Sequence, residues 1–516
     1  MRQIEDLWAL VSAATVCTGI LAMAAPALGD TWDEIGYTDL LERLGEDAPT
    51  GAGVIVGQIE APDGSNYGPN QNSGEFAGID FTAHSGTPGN SSHATTVAKN
   101  FYGGVSSVAP DVNNVHLWEV NDWIGTGYLN YGSGSAPSTP PIGMRIKNHS
   151  YIGETTVDAV LLRRIDFAAN AYHTLHVVGV NNGSSSTTPS LWSAMYHGLS
   201  VGLSDGNHGS NDHDTDGGPR MKPEIVAPSN FTSYATPIVS ACAALLQETV
   251  ATDPELSGSN FAYRPQVMKT ILMTGATHDE SWTNNPSTSG SDRGTTARPI
   301  DEIHGAGTVN IDRSHRILTG QEQGGSSNVV PSEPNIDGPG WDWEYVSNGE
   351  SVYYRFNLDE TAPEVIFTAT WHRVVSGTFG SYDLPDIDLY LWKVEDGSLV
   401  DMVGEDAKAF ESGNVTSESA VDNVEHLYIR GLAAGEYAVE MVRQNGGSSS
   451  RGAIAWWIPQ ASDAIQGDLN GDGVVDGADV GLLLALFGSD DPSADLNGDG
   501  TVDGADIGLL LANWSL

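Results

Sequence analysis

The stretch Phe231-Thr232-Ser233-Tyr234-Ala235-Thr236-Pro237, running straight into Ile238-Val239-Ser240-Ala241-Cys242-Ala243-Ala244-Leu245-Leu246, decides how the rest of this chain is read. A small polar turn delivers a serine into an apolar, alanine-rich run. Small residues let such a helix lie deep in a core. Pro237 is expected in its first turn, where a missing N–H does no harm. A serine at the N-terminus of a buried helix has an unpaired backbone N–H and sits at the positive end of the helix dipole. An attacking hydroxyl and a developing oxyanion need both. The same run also reads as an ordinary Ser/Thr cap on a core helix, so other stretches must separate the two readings.

Several do, in a fixed order. Val54-Ile55-Val56-Gly57-Gln58-Ile59 is an apolar strand that ends on the carboxylate of Glu60, with Asp63 close behind. Ser92-His93-Ala94-Thr95-Thr96-Val97-Ala98 carries a histidine, the side chain best matched to taking and returning a proton near neutrality. Ile146 to Tyr151 and His176-Val177-Val178-Gly179-Val180-Asn181-Asn182-Gly183 are further strand-and-loop segments, the second ending in an Asn-Gly turn. Lys222-Pro223-Glu224-Ile225-Val226-Ala227-Pro228 precedes the serine run. Pro265 to Thr277 is an amphipathic helix, and His304-Gly305-Ala306-Gly307 follows it. Strands alternating with helices imply a mainly parallel sheet covered on both faces.

Taken together these blocks resemble the subtilisin-like serine peptidases over about residues 50–318. Thr232, Ser233, Ala235, Thr236 and Pro237 match that family's nucleophile block, and His93, Thr95, Val97 and Ala98 match its histidine block. The resemblance implies that Ser233 is the nucleophile, that His93 is its general base, and that Asn181 donates its amide to the oxyanion. It also implies that Glu60, standing where the family has Asp, orients His93; a small change of register would give that task to Asp63. The departures are Glu60 itself, Phe231 in place of a glycine that would allow close backbone approach, a short loop between Pro228 and Ser233, and too few residues before Gly51 for the usual folding pro-domain.

Composition narrows the partners. The chain has 516 residues, and 22 Lys plus Arg against 67 Asp plus Glu give a net charge of −45. Such a surface excludes nucleic acid and anionic membranes as partners and suits an extracellular protein. Two cysteines, Cys17 and Cys242, supply no disulfide framework. Leu7 to Leu28 is almost wholly apolar or small, so residues 1–29 read as a secretory signal peptide, with a retained anchor as the alternative because Glu5 and Asp6 weaken the positive n-region; no other apolar stretch is long enough to span a membrane. The peptidase-like domain is then expected at 30–319.

Residues 320–340, rich in Gly, Ser, Pro and Asn, read as a linker. Short strand-like runs with regular turn signals follow over 341–460 and imply a β-sandwich. Asp386 to Leu391 with Leu432 to Tyr437 resembles bacterial pre-peptidase C-terminal domains. Residues 466–516 hold a repeat. Asp468, Asn470, Asp472, Val474, Asp476 and Asp479 occupy positions 1, 3, 5, 7, 9 and 12 of one loop, and Asp495, Asn497, Asp499, Thr501, Asp503 and Asp506 occupy them in the next. Hard oxygen donors at this spacing, with glycine at position 6, suit Ca²⁺. Asp at position 12 and a single following helix resemble type I dockerin modules, which implies a cohesin-like partner. The whole reads as a secreted or cell-surface serine endopeptidase acting on protein or peptide substrates. The alternative is a catalytically degenerate binding protein on the same scaffold, docked through its tail.

Overall fold

The computed structural model describes residues 28–514, apart from 154–157, 186–190, 406–407, 445, 447–449, 460–466, 468, 470–474, 490, 492 and 498. The expected signal peptide, Cys17, and the first-loop residues Asp468, Asn470, Asp472 and Val474 therefore lie outside the described residues, Leu28 and Gly29 excepted.

Among the described residues the first half of the chain holds nine strands: β1 (Ile55–Glu60), β2 (Asp80–Ala83), β3 (Asn114–Glu119), β4 (Met144–His149), β5 (Leu175–Gly179), β6 (Gly198–Leu203), β7 (Asn211–His213), β8 (Arg220–Lys222) and β9 (Ile225–Ala227). Seven form one sheet in the order β2-β3-β1-β4-β5-β6-β9, and β7 with β8 is a separate antiparallel hairpin. Every pairing in the large sheet is parallel. Apart from the edge strand β2, the strands are largely buried on both faces, as a parallel sheet between helices requires. One face packs on the helices Ser92–Tyr102, Thr232–Thr252 and Pro265–Thr274, the other on Ala159–Tyr172. The chain reverses its direction of strand addition at β1, which leaves a crevice at the carboxyl ends of the strands there.

The helix Thr232–Thr252 is the central one. Its Ala, Val and Leu positions are buried from Ala235 to Val250. Pro237 is not in its first turn, as the sequence reading expected, but inside the second. The helix starts early because Asn182 Oδ1 accepts the Thr232 N–H at 2.8 Å and the Phe231 carbonyl accepts from Tyr234 and Ala235. Proline, lacking an N–H, leaves the Ser233 carbonyl without its i+4 helix donor.

Helix Pro265–Thr274 is buried on every face, not on one. Two further sheets follow, and the second of them packs on the helix's outer side through Gly340–Val346, Ser450–Trp457 and Ala362–Trp371. The first holds Ile387–Glu395, Gly435–Arg443 and Ser351–Leu358; the second holds Gly340–Val346, Ser450–Trp457, Ala362–Trp371 and Val424–Leu432. They share one core, in which Phe356 of the first meets Phe367 of the second at 5.6 Å between rings. Thr295–Thr296 of the first half adds an edge to the first sheet, pairing in parallel with Thr416–Ser417. Arg373 crosses between the halves, fully buried, with Asp166 and Asp216 each at 2.7 Å. The linker-like residues 320–340 are also held: Ser326 bridges Tyr353 and Ile336 is buried.

In the tail, helices Gly477–Ala485 and Gly504–Ala512 begin alike, each with a reciprocal cap between Asp476 and Asp479 or Asp503 and Asp506. Among the described residues no helix is long and apolar enough to cross a membrane.

Candidate active site

Two strand ends and two helix starts carry the four expected residues. Glu60 is the last residue of β1 and is 1% exposed. One carboxylate oxygen, Oε2, lies 3.0 Å from His93 Nδ1. The other, Oε1, accepts a hydrogen bond from Gln58 Nε2 at 2.8 Å. Gln58 is fully buried, and its second N–H is donated to the Ala94 carbonyl at 3.0 Å, one residue past His93. The Tyr102 hydroxyl donates to Gln58 Oε1, which fixes the amide with its NH₂ toward Glu60. Every hydrogen-bonding group of Gln58's side chain is thus engaged, and one amide ties the acid's strand to the histidine's helix.

His93 is the second residue of helix Ser92–Tyr102, which Ser91 caps by accepting the Ala94 N–H at 3.2 Å. Its side chain is 38% exposed, against 1% for Glu60. Burial pushes the imidazole pKa down, but the Glu60 charge and hydrogen bond outweigh it and hold the ring above its ordinary value. With Nδ1 turned to the carboxylate, Nε2 is the nitrogen left to act as base.

Asp63, the other candidate orienter, is exposed in a turn that pairs with Asn66. Glu60 and not Asp63 meets the histidine, because the extra methylene carries the carboxylate from a strand-end backbone to the ring.

Ser233 is the second residue of helix Thr232–Thr252 and is half-buried. The Thr232 N–H is taken by Asn182 Oδ1 at 2.8 Å and its hydroxyl by the Val180 carbonyl at 2.6 Å. Among the described residues the Ser233 N–H has no backbone acceptor outside its own helix, which suits an oxyanion donor. Tyr234, the next residue, places its ring 6.0 Å from the imidazole. No hydrogen bond joins His93 to the Ser233 hydroxyl in this structure; in serine enzymes without substrate that contact is often long and closes on substrate entry. Asn181 lies two residues beyond β5, half-buried, and its carbonyl accepts the Gly209 N–H at 2.8 Å.

Phe231 occupies ordinary extended backbone, φ −146 and ψ 141, so this position does not need a glycine here. Its ring is 51% exposed and stands edge-on to Tyr234 at 5.7 Å. In the segment Ile146 to Tyr151, Lys147, Asn148, His149 and Ser150 are buried, and exposure resumes at Ile152, 43% exposed. Asn148 Oδ1 accepts the Ser240 hydroxyl at 2.9 Å, joining β4 to the serine helix.

Gln58, Tyr102 and Asn182 were not singled out for these roles from the sequence. Gln58 carried a signal, a polar residue in an apolar strand two positions before the carboxylate and so on the same face. Tyr102 carried none.

Among the described residues no group of three or more His, Cys, Asp or Glu side chains could hold a metal ion. In the second tail loop Asp495 accepts the N–H groups of Asp499 and Gly500, and Asp506 those of Asn497 and Asp503.

No protein-family model matches the chain, and no curated protein matches it. Solved structures similar to it are subtilisin-type serine proteases. A protease of Pseudoalteromonas arctica PAMC 21717 is 15% identical and has a TM-score of 0.38, covering 57% of this chain and 98% of its own. The serine protease of Aeromonas sobria is 13% identical at a TM-score of 0.33, covering 79% of this chain and 88% of its own. Fervidolysin from Fervidobacterium pennivorans, a keratinolytic enzyme related to subtilisin, is 13% identical at 0.36, covering 78% of this chain and 53% of its own. The functional reading below stands on the site geometry.

Proposed function

We propose that this chain is a serine endopeptidase of the subtilisin type, secreted, and hydrolysing peptide bonds through an acyl-enzyme. The Ser233 hydroxyl attacks the scissile carbonyl while His93 Nε2 takes its proton. Glu60 holds the tautomer and stabilises the imidazolium as it forms. The Ser233 N–H, with the Asn181 amide, stabilises the oxyanion. His93 then hands its proton to the leaving amine, and water, activated by the same imidazole, releases the acyl group.

The observation that carries this reading is the Glu60–His93 pair at 3.0 Å, with its carboxylate fixed from behind by Gln58, beside a serine whose helix-end N–H is open. The test is covalent labelling by a fluorophosphonate probe. Labelling that disappears in Ser233→Ala supports the reading; unlabelled, folded, calcium-loaded protein refutes it. The departures at Glu60 and Phe231 motivate a second reading, a degenerate binding protein on the same scaffold, and that same unlabelled result selects it.

The antiparallel sheets at 341–460 fit a pre-peptidase C-terminal-like module that covers the catalytic half. For 466–516 the reading is a calcium-binding, dockerin-like module with a cohesin-like partner. Two loops with the same oxygen donors at the same spacing support it. Asp476, Asp479, Asp495, Asn497, Asp499, Thr501, Asp503 and Asp506, with the four first-loop residues outside the described set, would hold the ions. Ion binding would draw the second-loop carboxylates away from the backbone N–H groups they now accept.

A further inference from the structure

We propose that the cavity beside Ser233 receives the side chain that follows the cleaved bond, and that it selects aromatic or large aliphatic residues there. This rests on the peptidase reading and names a preference of that same site.

The cavity holds about 300 Å³. Its apolar walls are Trp32, Ile35, Val108, Phe231, Tyr234 and Ile238. Trp32 and Ile35 come from residues before Gly51, outside the stretch that resembles a known family, so the pocket belongs to this chain in particular. The volume lies at the small end of ligand-sized cavities, roughly 300–1,000 Å³, which suits one large side chain and not a folded partner.

Its side of the site follows from the chemistry. The imidazole must protonate the leaving amine, so the leaving half of the substrate runs out over His93. The oxyanion and the acyl half face Asn181 and the Ser233 N–H. Thr96 and Asn100, one and two turns beyond His93 on its own helix, line the cavity, and so does Tyr234, whose ring is 6.0 Å from the imidazole. The cavity therefore lies along the histidine helix; His93, Ser233 and Asn181 are not in its lining.

Its character follows from the lining, which contains no charged side chain although the chain carries a net charge of −45. An apolar, uncharged socket favours burial of hydrocarbon and leaves a carboxylate or ammonium unpaired. Phe231, 51% exposed at the mouth, stacks edge-on with Tyr234 and offers an aromatic lip.

Acyl transfer isolates this half of the site. An ester substrate acylates Ser233 and its alcohol departs. An added amino-acid amide then attacks the acyl carbonyl, His93 accepts the amine proton, the acyl–Ser233 bond breaks, and the proton passes to the serine oxygen. Water and the added amine compete for one acyl-enzyme, so the product ratio reads the pocket alone. Phenylalaninamide and leucinamide are expected to outcompete glycinamide by about tenfold or more, and aspartic acid α-amide to fall below glycinamide. Asn100→Trp, which fills the cavity from the helix surface, brings the phenylalanine-to-glycine ratio toward one; Trp32→Ala, which removes the far wall, lowers it as well. The proposal is overturned if the ester is turned over and the ratio is near one in the unaltered protein, or if neither variant moves it. No ester turnover together with no probe labelling removes the peptidase reading and this inference with it.

Discussion

Glu60→Gln is the sharpest perturbation this site allows. The substitution keeps the shape of a side chain that is 1% exposed, so the fold has no cavity to fill. It removes the charge 3.0 Å from His93 Nδ1 and turns an acceptor-only group into one with a fixed donor end. Gln58 Nε2, held by Tyr102 and by the Ala94 carbonyl, still points a donor at position 60 from 2.8 Å. The new amide therefore turns its oxygen toward Gln58 and its NH₂ toward the ring. His93 must then accept at Nδ1 and carry its proton on Nε2, where it has no capacity to take one from Ser233. A tautomer inversion of this kind costs roughly 10⁴-fold in kcat in serine proteases.

The same change moves the pH profile. In the unaltered protein Glu60 holds the imidazole above its ordinary value against burial, which pushes it down. The base must be neutral to act, so the acid limb of kcat/KM lies above the usual histidine value. Without the anion only burial remains, and the limb shifts to lower pH. The ring is 38% exposed, so water screens part of the carboxylate's effect, and the direction of the move, toward lower pH, is what the assay reads. The assay is kcat/KM for a peptide amide across pH 5–9, beside urea denaturation to confirm folding. A folded Glu60→Gln protein within tenfold of full activity, with its acid limb unmoved, would refute the reasoning.

Other outcomes follow from the same coordinates. Gln58→Met leaves the buried Glu60 Oε1 without its donor, a loss of about 1–3 kcal/mol; activity should fall roughly tenfold, and Tyr102→Phe should act in the same direction but less, both read by kcat/KM. Arg373→Met strips the cation from Asp166, 2.7 Å away, and one of two from Asp216, which keeps Arg163, and should lower stability by about 3 kcal/mol in urea denaturation. Glu224 is fully buried with Lys222 and Lys269 each 2.6 Å away. Burial raises its pKa, but the two ammonium groups hold it below the ordinary 4.5. Its stabilisation is therefore present above that value and lost as pH falls through the folded one. Denaturation midpoints from pH 7 down to 3 should fall less steeply in Glu224→Gln than in the unaltered protein. Calcium should raise the melting temperature of the 466–516 module and a chelator should lower it, followed by calorimetry of the full chain; a melting profile indifferent to both would remove the calcium reading.

Some of this protein is local and was legible in its residues. Alternating strand and helix patterns imply a parallel sheet, because apolar runs such as Val54–Ile59 need cover on both faces. Ser233 entering an alanine-rich run marks a buried helix start, because only small side chains let a helix lie that deep. The repeated loops show themselves in spacing alone. Other features were settled by what packs against what. Pro265–Thr274 looks one-sided as a sequence; both its faces are buried because an antiparallel sheet closes over its outer side, and Lys269 is accommodated there by Glu224 and by the Gly198 and Tyr196 carbonyls. The choice of Glu60 over Asp63 depends on which carboxylate a neighbouring helix meets. Gln58 and Tyr102, 44 residues apart, acquire their roles only when β1 and the histidine helix lie side by side. Periodicity and turn chemistry act over a few residues, and so they write the elements; a hydrogen bond between distant residues exists only once the fold has brought them together, and the site is made of such bonds.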